Sequence, residues 1–136
     1  MGVRNALFIG INCDLAHLVP VPLVDQDQTR ITLDNMDISP WIEMRKGVPW
    51  WAAPKHTKTY SSFTADDDQP PYTAFTIVHY GQYQYYRKKN HYVNTIRQRQ
   101  HETWYGAVLI FKLNGSGDVV DVTRADLPVI QCLLAL

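Results

Sequence analysis

The sequence predicts an α+β fold, a single domain whose mostly antiparallel sheet carries two or three short helices. Three observations lead there. Runs rich in β-branched and aromatic residues recur over residues 6–11, 56–63, 73–80 and 104–113. The tetrapeptide Asn114-Gly115-Ser116-Gly117 is turn chemistry between two apolar segments, which makes a hairpin and therefore antiparallel pairing. Finally, 136 residues at 46% hydrophobic and 19% charged are one globular domain's worth of chain. A core of that size buries roughly two-thirds of the surface of the unfolded chain, so no covalent staple is needed.

Each element has a local reason. Residues 6–11 are strand-like. The apolar run over 15–24 contains Pro20 and Pro22, which confine it to an edge strand or an extended segment. Residues 29–33 alternate as a short strand and meet an Asp34-Asn35 turn. Ser39-Pro40 is a helix start, with Ser as N-cap and Pro in the first helical position. That helix would cover 41–46 and end at Gly47. Residues 48–54 hold Trp50-Trp51 between Pro49 and Pro54 and are irregular. A strand over 56–63, an exposed turn over 66–71 and a strand over 73–80 follow, and the pattern continues through 82–86 after Gly81. Asn90 caps a helix over 91–100 whose apolar stripe is Tyr92, Val93 and Ile96. The strand over 104–113 is the strongest in the chain, and 119–122 is its hairpin partner. A closing helix begins at Thr123 or Asp126. Pro128 favours Asp126, because proline is tolerated only in a first turn.

Composition excludes several classes. The chain is too apolar to be disordered, has no run near the ~18 residues a bilayer span needs, and has no repeat. The first residues lack a secretory h-region, and Met1-Gly2 lacks the Ser or Thr that myristoylation prefers. A soluble cytoplasmic protein with no membrane partner is expected. Cys13 and Cys132 sit in apolar stretches and read as buried free thiols, since a bridge would need the two ends of the chain to meet. Neither belongs to a Cys-x-x-Cys pair. No Gly-rich phosphate loop, Gly-x-Ser-x-Gly elbow or His-Glu-x-x-His helix occurs, so no cofactor is expected.

Charge is zero overall but uneven. Between Tyr80 and Lys112 stand six basic residues against one acid, Glu102, a local excess of five that the remainder of the chain balances. Tyr80, Tyr83, Tyr85, Tyr86, Tyr92, Trp104 and Tyr105 are interleaved with that charge. Cations neutralise phosphate and flat rings stack on bases, so the combination suits single-stranded or looped RNA. Arg87, Lys88, Lys89, Arg97 and Arg99 would meet phosphate, and Tyr83, Tyr85 and Tyr86 would stack. Strand tyrosines and a solvated basic face are the plainer account of the same residues.

Metal-free RNA cleavage needs a base for the 2′-hydroxyl proton, an acid for the leaving oxygen and a cation on the phosphate. His79, His91 and His101 could supply the first two, and Lys112, Lys89 or Arg97 the third. His79 shares a strand face with Phe75 and Ile77, where a histidine is more often a core residue. Asp66-Asp67-Asp68 could hold a divalent cation, but the ligand spacing and glycine of a calcium loop are lacking, and a solvated acidic loop is the better reading. Trp50-Trp51 would lie on the core or form a dimer contact.

The strings Asn94-Thr95-Ile96, Trp104-Tyr105-Gly106-Ala107-Val108-Leu109-Ile110-Phe111-Lys112 and Val120-Asp121-Val122-Thr123 with Asp126 resemble a segment of a largely uncharacterised domain of mushroom-forming fungi. The resemblance implies a shared strand, hairpin and closing helix, and no catalytic residue. In length and in its basic–aromatic stretch the chain also resembles, more loosely, the small fungal ribotoxin-like proteins, toxins that attack ribosomal RNA. That likeness implies a ribosomal substrate, with Lys112 a candidate phosphate contact.

Two expectations follow. The first is an RNA- or ribosome-directed protein, in its sharpest form a ribotoxin-like ribonuclease. The second is a non-enzymatic interaction or defence domain, homodimeric through Trp50-Trp51 or the C-terminal helix, with glycan binding through exposed aromatics as a variant.

Overall fold

Strands rich in branched and aromatic side chains pair in sequence-adjacent couples, and the couples assemble into one antiparallel sheet. The structure is a computed structural model that describes residues 2–11, 15–27, 29–41, 56–63, 72–79, 88–97 and 103–135, with the backbone alone over 56–63 and 72–73. The strands are β1 (Val3–Ile9), β2 (His17–Pro22), β3 (His56–Phe63), β4 (Tyr72–His79), β5 (Val108–Leu113) and β6 (Val119–Val120). The six-stranded sheet has the order β2-β1-β5-β4-β3, with β6 pairing β5 beside β1. All pairings are antiparallel. With helices α1 (His91–Ile96) and α2 (Leu127–Leu134) added, the fold is α+β, as the sequence predicts.

Both sheet faces are covered, so the central strand reads as a continuous apolar run rather than an alternating one. On one face Ala6, Val78, Leu109 and Phe111 pack against Leu23, Met36 and Ile38 from the segment after β2. On the other, Leu7, Ile9, Phe75, Ile77, Val108 and Ile110 pack against a helical layer. That layer consists of Val93 from α1, Ile130 and Leu134 from α2, and the indole of Trp104. Neighbouring residues along β5 therefore belong to opposite cores, as the period of two requires.

Several boundaries differ from the sequence expectation. Residues 29–33 form no strand; a 3-10 turn covers Leu33–Asn35 instead. The cause is the Asn35 side chain. Its oxygen accepts from Asp25 N at 2.8 Å and its amide donates to Asp25 O at 3.0 Å, closing 25–35 into a loop. β5 begins at Val108 rather than residue 104, because Gly106 takes a positive φ of 80° and turns Trp104 into the helical layer. β6 has only two residues. α1 ends at Ile96 with Arg97 as its C-cap, and 98–100 lie outside the described residues.

Both candidate starts of the closing helix are used. Thr123 caps a 3-10 turn, Arg124–Asp126, through a capping box with Asp126, and α2 continues directly with proline in its first turn. β2 is an edge strand, as its prolines demand, with Pro20 opposite Asn5 and Pro22 opposite Val3. Cys132 is exposed rather than buried, since it falls on the outer side of α2. Cys13, the helix expected over 41–46, the Trp50-Trp51 segment, the Asp66–Asp68 loop and the 82–86 continuation lie outside the described residues. No helix among the described residues is long and apolar enough to cross a membrane.

Candidate functional site

Two asparagines fix the basic segment to the sheet. Asn90 is fully buried, and its side-chain oxygen caps α1 by accepting from Val93 N at 3.1 Å. Its amide donates to Ile9 O at the end of β1 and to Gly106 O, both at 3.0 Å. One turn later, the Asn94 amide donates to Asn90 O at 2.8 Å and Trp104 O at 2.9 Å, while its oxygen accepts from Trp104 N at 2.9 Å. The start of α1 and the segment 104–106 are thereby held together by side-chain amides, which offer both a donor and an acceptor.

This clamp presents Lys88 and Lys89. Gly106 N donates to Lys88 O at 2.8 Å, and Lys89 forms an antiparallel bridge with Tyr105. Directly opposed residues of such a bridge project to the same side. Lys88, Lys89 and His91 are exposed and Tyr105 is half-buried, so the Lys89 cation stands beside an aromatic ring at the surface.

Other residues singled out by the sequence are occupied elsewhere. His79 is 3% exposed and ends β4 beneath the helical layer, stacked on Trp104 with ring centroids 3.8 Å apart. Arg97 is also 3% exposed, which removes it from a phosphate-binding face. Its Nη1 donates to Leu134 O at 2.8 Å, and its guanidinium carbon lies 4.5 Å from the Trp104 ring centroid. It ties the last turn of α2 to the C-cap of α1 and gains a cation–π contact there.

Lys112 is turned toward Asp126, with Nζ 3.0 Å from Oδ1 and 3.3 Å from Oδ2. Because Asp126 Oδ2 also accepts from Thr123 N at 2.8 Å, this lysine braces the entry to α2 rather than standing free for phosphate. Tyr83, Tyr85, Tyr86, Arg87, Arg99 and His101 lie outside the described residues. Among the described residues no three His, Cys, Asp or Glu side chains gather as metal ligands.

A second feature went unread in the sequence. Among the described residues, a groove of about 540 Å³ lies between β2 and the helices. Buried Leu7 lies at its floor, with Leu15, Leu18 and Leu127 along its sides. Arg124 and His17, both exposed, stand at its mouth, and neither makes an ion pair among the described residues. Tyr92 and Gln131 close one end through a bond of 3.1 Å from Nε2 to the phenol oxygen. The only sequence signal for this groove was the apolar run over 15–24, whose outward leucines have no polar alternation.

No protein-family model matches the chain, and it matches no curated protein and no solved structure.

Proposed function

We propose that this protein is directed at RNA, binding a single-stranded or looped segment across the surface where exposed Lys89 stands opposite Tyr105, with exposed Lys88 next to it in the chain. The observation that carries this reading is the clamped bridge between Lys89 and Tyr105. Two adjacent exposed lysines on a pinned backbone supply phosphate neutralisation, and a neighbouring ring supplies a surface for one base. Because Asn90 and Asn94 hold the backbone, little ordering is left to be done on binding. Arg87, Arg99, Tyr83, Tyr85 and Tyr86 belong to the same basic–aromatic stretch of sequence.

A ribotoxin-like ribonuclease is the catalytic form of the proposal, with ribosomal RNA as substrate and the cytoplasm as its place of action. One imidazole removes the 2′-hydroxyl proton as that oxygen attacks phosphorus, and another protonates the departing 5′-oxygen. His91, exposed two residues after Lys89, is the imidazole nearest in sequence to that lysine, with His101 as its partner in this scheme. The test is incubation with intact ribosomes and with naked RNA, with and without EDTA, followed by a denaturing gel and a mobility-shift assay. A discrete fragment that survives EDTA supports the histidine mechanism. A mobility shift without cleavage supports binding alone, and the absence of both refutes the proposal.

A non-enzymatic homodimeric domain is the second reading. It predicts a concentration-dependent dimer in sedimentation.

A further inference from the structure

The groove beside β2 is carried by observations separate from the basic surface. Its volume of about 540 Å³ falls within the roughly 300–1,000 Å³ range of small-molecule sites. One stretch of its wall is aliphatic: Leu7 and Leu18 are cross-strand partners, and Leu15 and Leu127 line it with them, while His17, Tyr92, Thr123, Arg124 and Gln131 make up the polar remainder. Leu15 is 68% and Leu18 is 38% exposed, so apolar surface that a covering helix would ordinarily remove from water is left wet. An alkyl chain suits the leucine stretch, because it needs no polar partner there.

The mouth supplies the second half of the recognition. Arg124 carries a full positive charge that no carboxylate answers among the described residues. His17 also lines the groove and adds hydrogen-bonding capacity, while the Thr123 hydroxyl already donates to Asp126. The guanidinium fork is matched to a carboxylate in geometry as well as charge. We infer that this groove binds an aliphatic monocarboxylate, the chain lying along Leu7, Leu18 and Leu127 and the carboxylate meeting Arg124.

The experiment is isothermal titration of the full chain with decanoate below its micelle concentration, with decanol and decyltrimethylammonium as neutral and cationic controls. Saturable one-to-one binding of decanoate, tighter than either control, is the expected result. Arg124→Gln should weaken decanoate by about fivefold and leave decanol unchanged, since one exposed charge-assisted contact is lost. Leu15→Ser should weaken decanoate and decanol alike. Both positions are exposed, and circular dichroism checks that each variant is folded. Three outcomes overturn the inference: no saturable decanoate binding, equal binding of the cationic control, or an Arg124→Gln variant that binds decanoate as the parent does. Failure here leaves the RNA proposal standing, because Lys88 and Lys89 take no part in this groove.

Discussion

The imidazole of His79 lies flat on the indole of Trp104, with ring centroids 3.8 Å apart and planes 2° from parallel. The stack joins the end of β4 to the segment that precedes β5, and Arg97 adds a cation over the same indole. A histidine, an arginine and a tryptophan from three parts of the chain therefore form one buried unit beneath the helices. Trp104 is its centre. Trp104→Ala should cost about 3–5 kcal/mol, the range for removing a large buried aromatic side chain. Urea denaturation followed by circular dichroism measures it, and a loss under 1 kcal/mol would contradict the packing described.

Arg97 offers a sharper contrast. A buried cation with one hydrogen bond can be exchanged for an apolar side chain of similar length at little net cost, because its desolvation penalty disappears with it. Arg97→Met is expected to fold with near-parental stability and to keep any RNA affinity. Arg97→Ala should be clearly less stable, since it leaves space beside Trp104. A fall in RNA affinity for the folded Met variant would return Arg97 to the binding surface.

Asn90 tests whether the clamp matters through its cap or through its amide. Asn90→Ala removes the cap and both amide bonds, a loss of about 2–4 kcal/mol. Asn90→Asp keeps the acceptor for Val93 N but sets a carboxylate oxygen against the Ile9 and Gly106 carbonyls. It should be no more stable than the alanine variant, as compared in the same denaturation assay. An Asp variant of parental stability would show that the cap alone counts.

For Lys112 the paired geometry predicts a structural phenotype. Lys112→Met should lower stability by about 1 kcal/mol, as expected for a partly exposed ion pair. Asp126→Ala should cost more, because the capping box at Thr123 is lost with it. RNA binding of Lys112→Met, measured by mobility shift, should equal that of the parent.

Replacement of Lys88 and Lys89 by alanine carries the functional prediction. Each lysine that contacts phosphate contributes about 0.7 to the slope of log affinity against log salt for single strands. The double variant should therefore bind more weakly at low salt and show a slope shallower by about 1.4. Unchanged salt dependence would place the contacts elsewhere. Both residues are exposed and make no side-chain ion pair among the described residues, so stability should not change.

Where order depends on near neighbours in sequence, the chain is legible. The Asn90 cap, the Asn114–Gly117 turn, the start of the closing helix at Thr123 or Asp126 and the edge position forced by Pro20 and Pro22 all follow from rules that act over four residues or fewer. So does the α+β class, which needs only the strand runs and the hairpin. The basic–aromatic content between Tyr80 and Lys112 is equally visible as composition.

Which of those cations faces water was decided by tertiary structure. Lys89 and Arg97 look alike in sequence, but one stands on a surface bridge and the other lies beneath α2. Lys112 is turned from phosphate by Asp126, fourteen positions away. The strand over residues 29–33 was lost to a side-chain bond between Asn35 and Asp25, which competes with a ladder that β-propensity alone would favour. The groove is formed where β2 meets residues of α1 and α2, which are more than seventy positions away in sequence. Burial is set by what packs on top, and that depends on contacts distant in sequence. The sequence by itself therefore determined the elements and their caps, while the packing of two layers on the sheet decided which charges and which leucines remain at the surface.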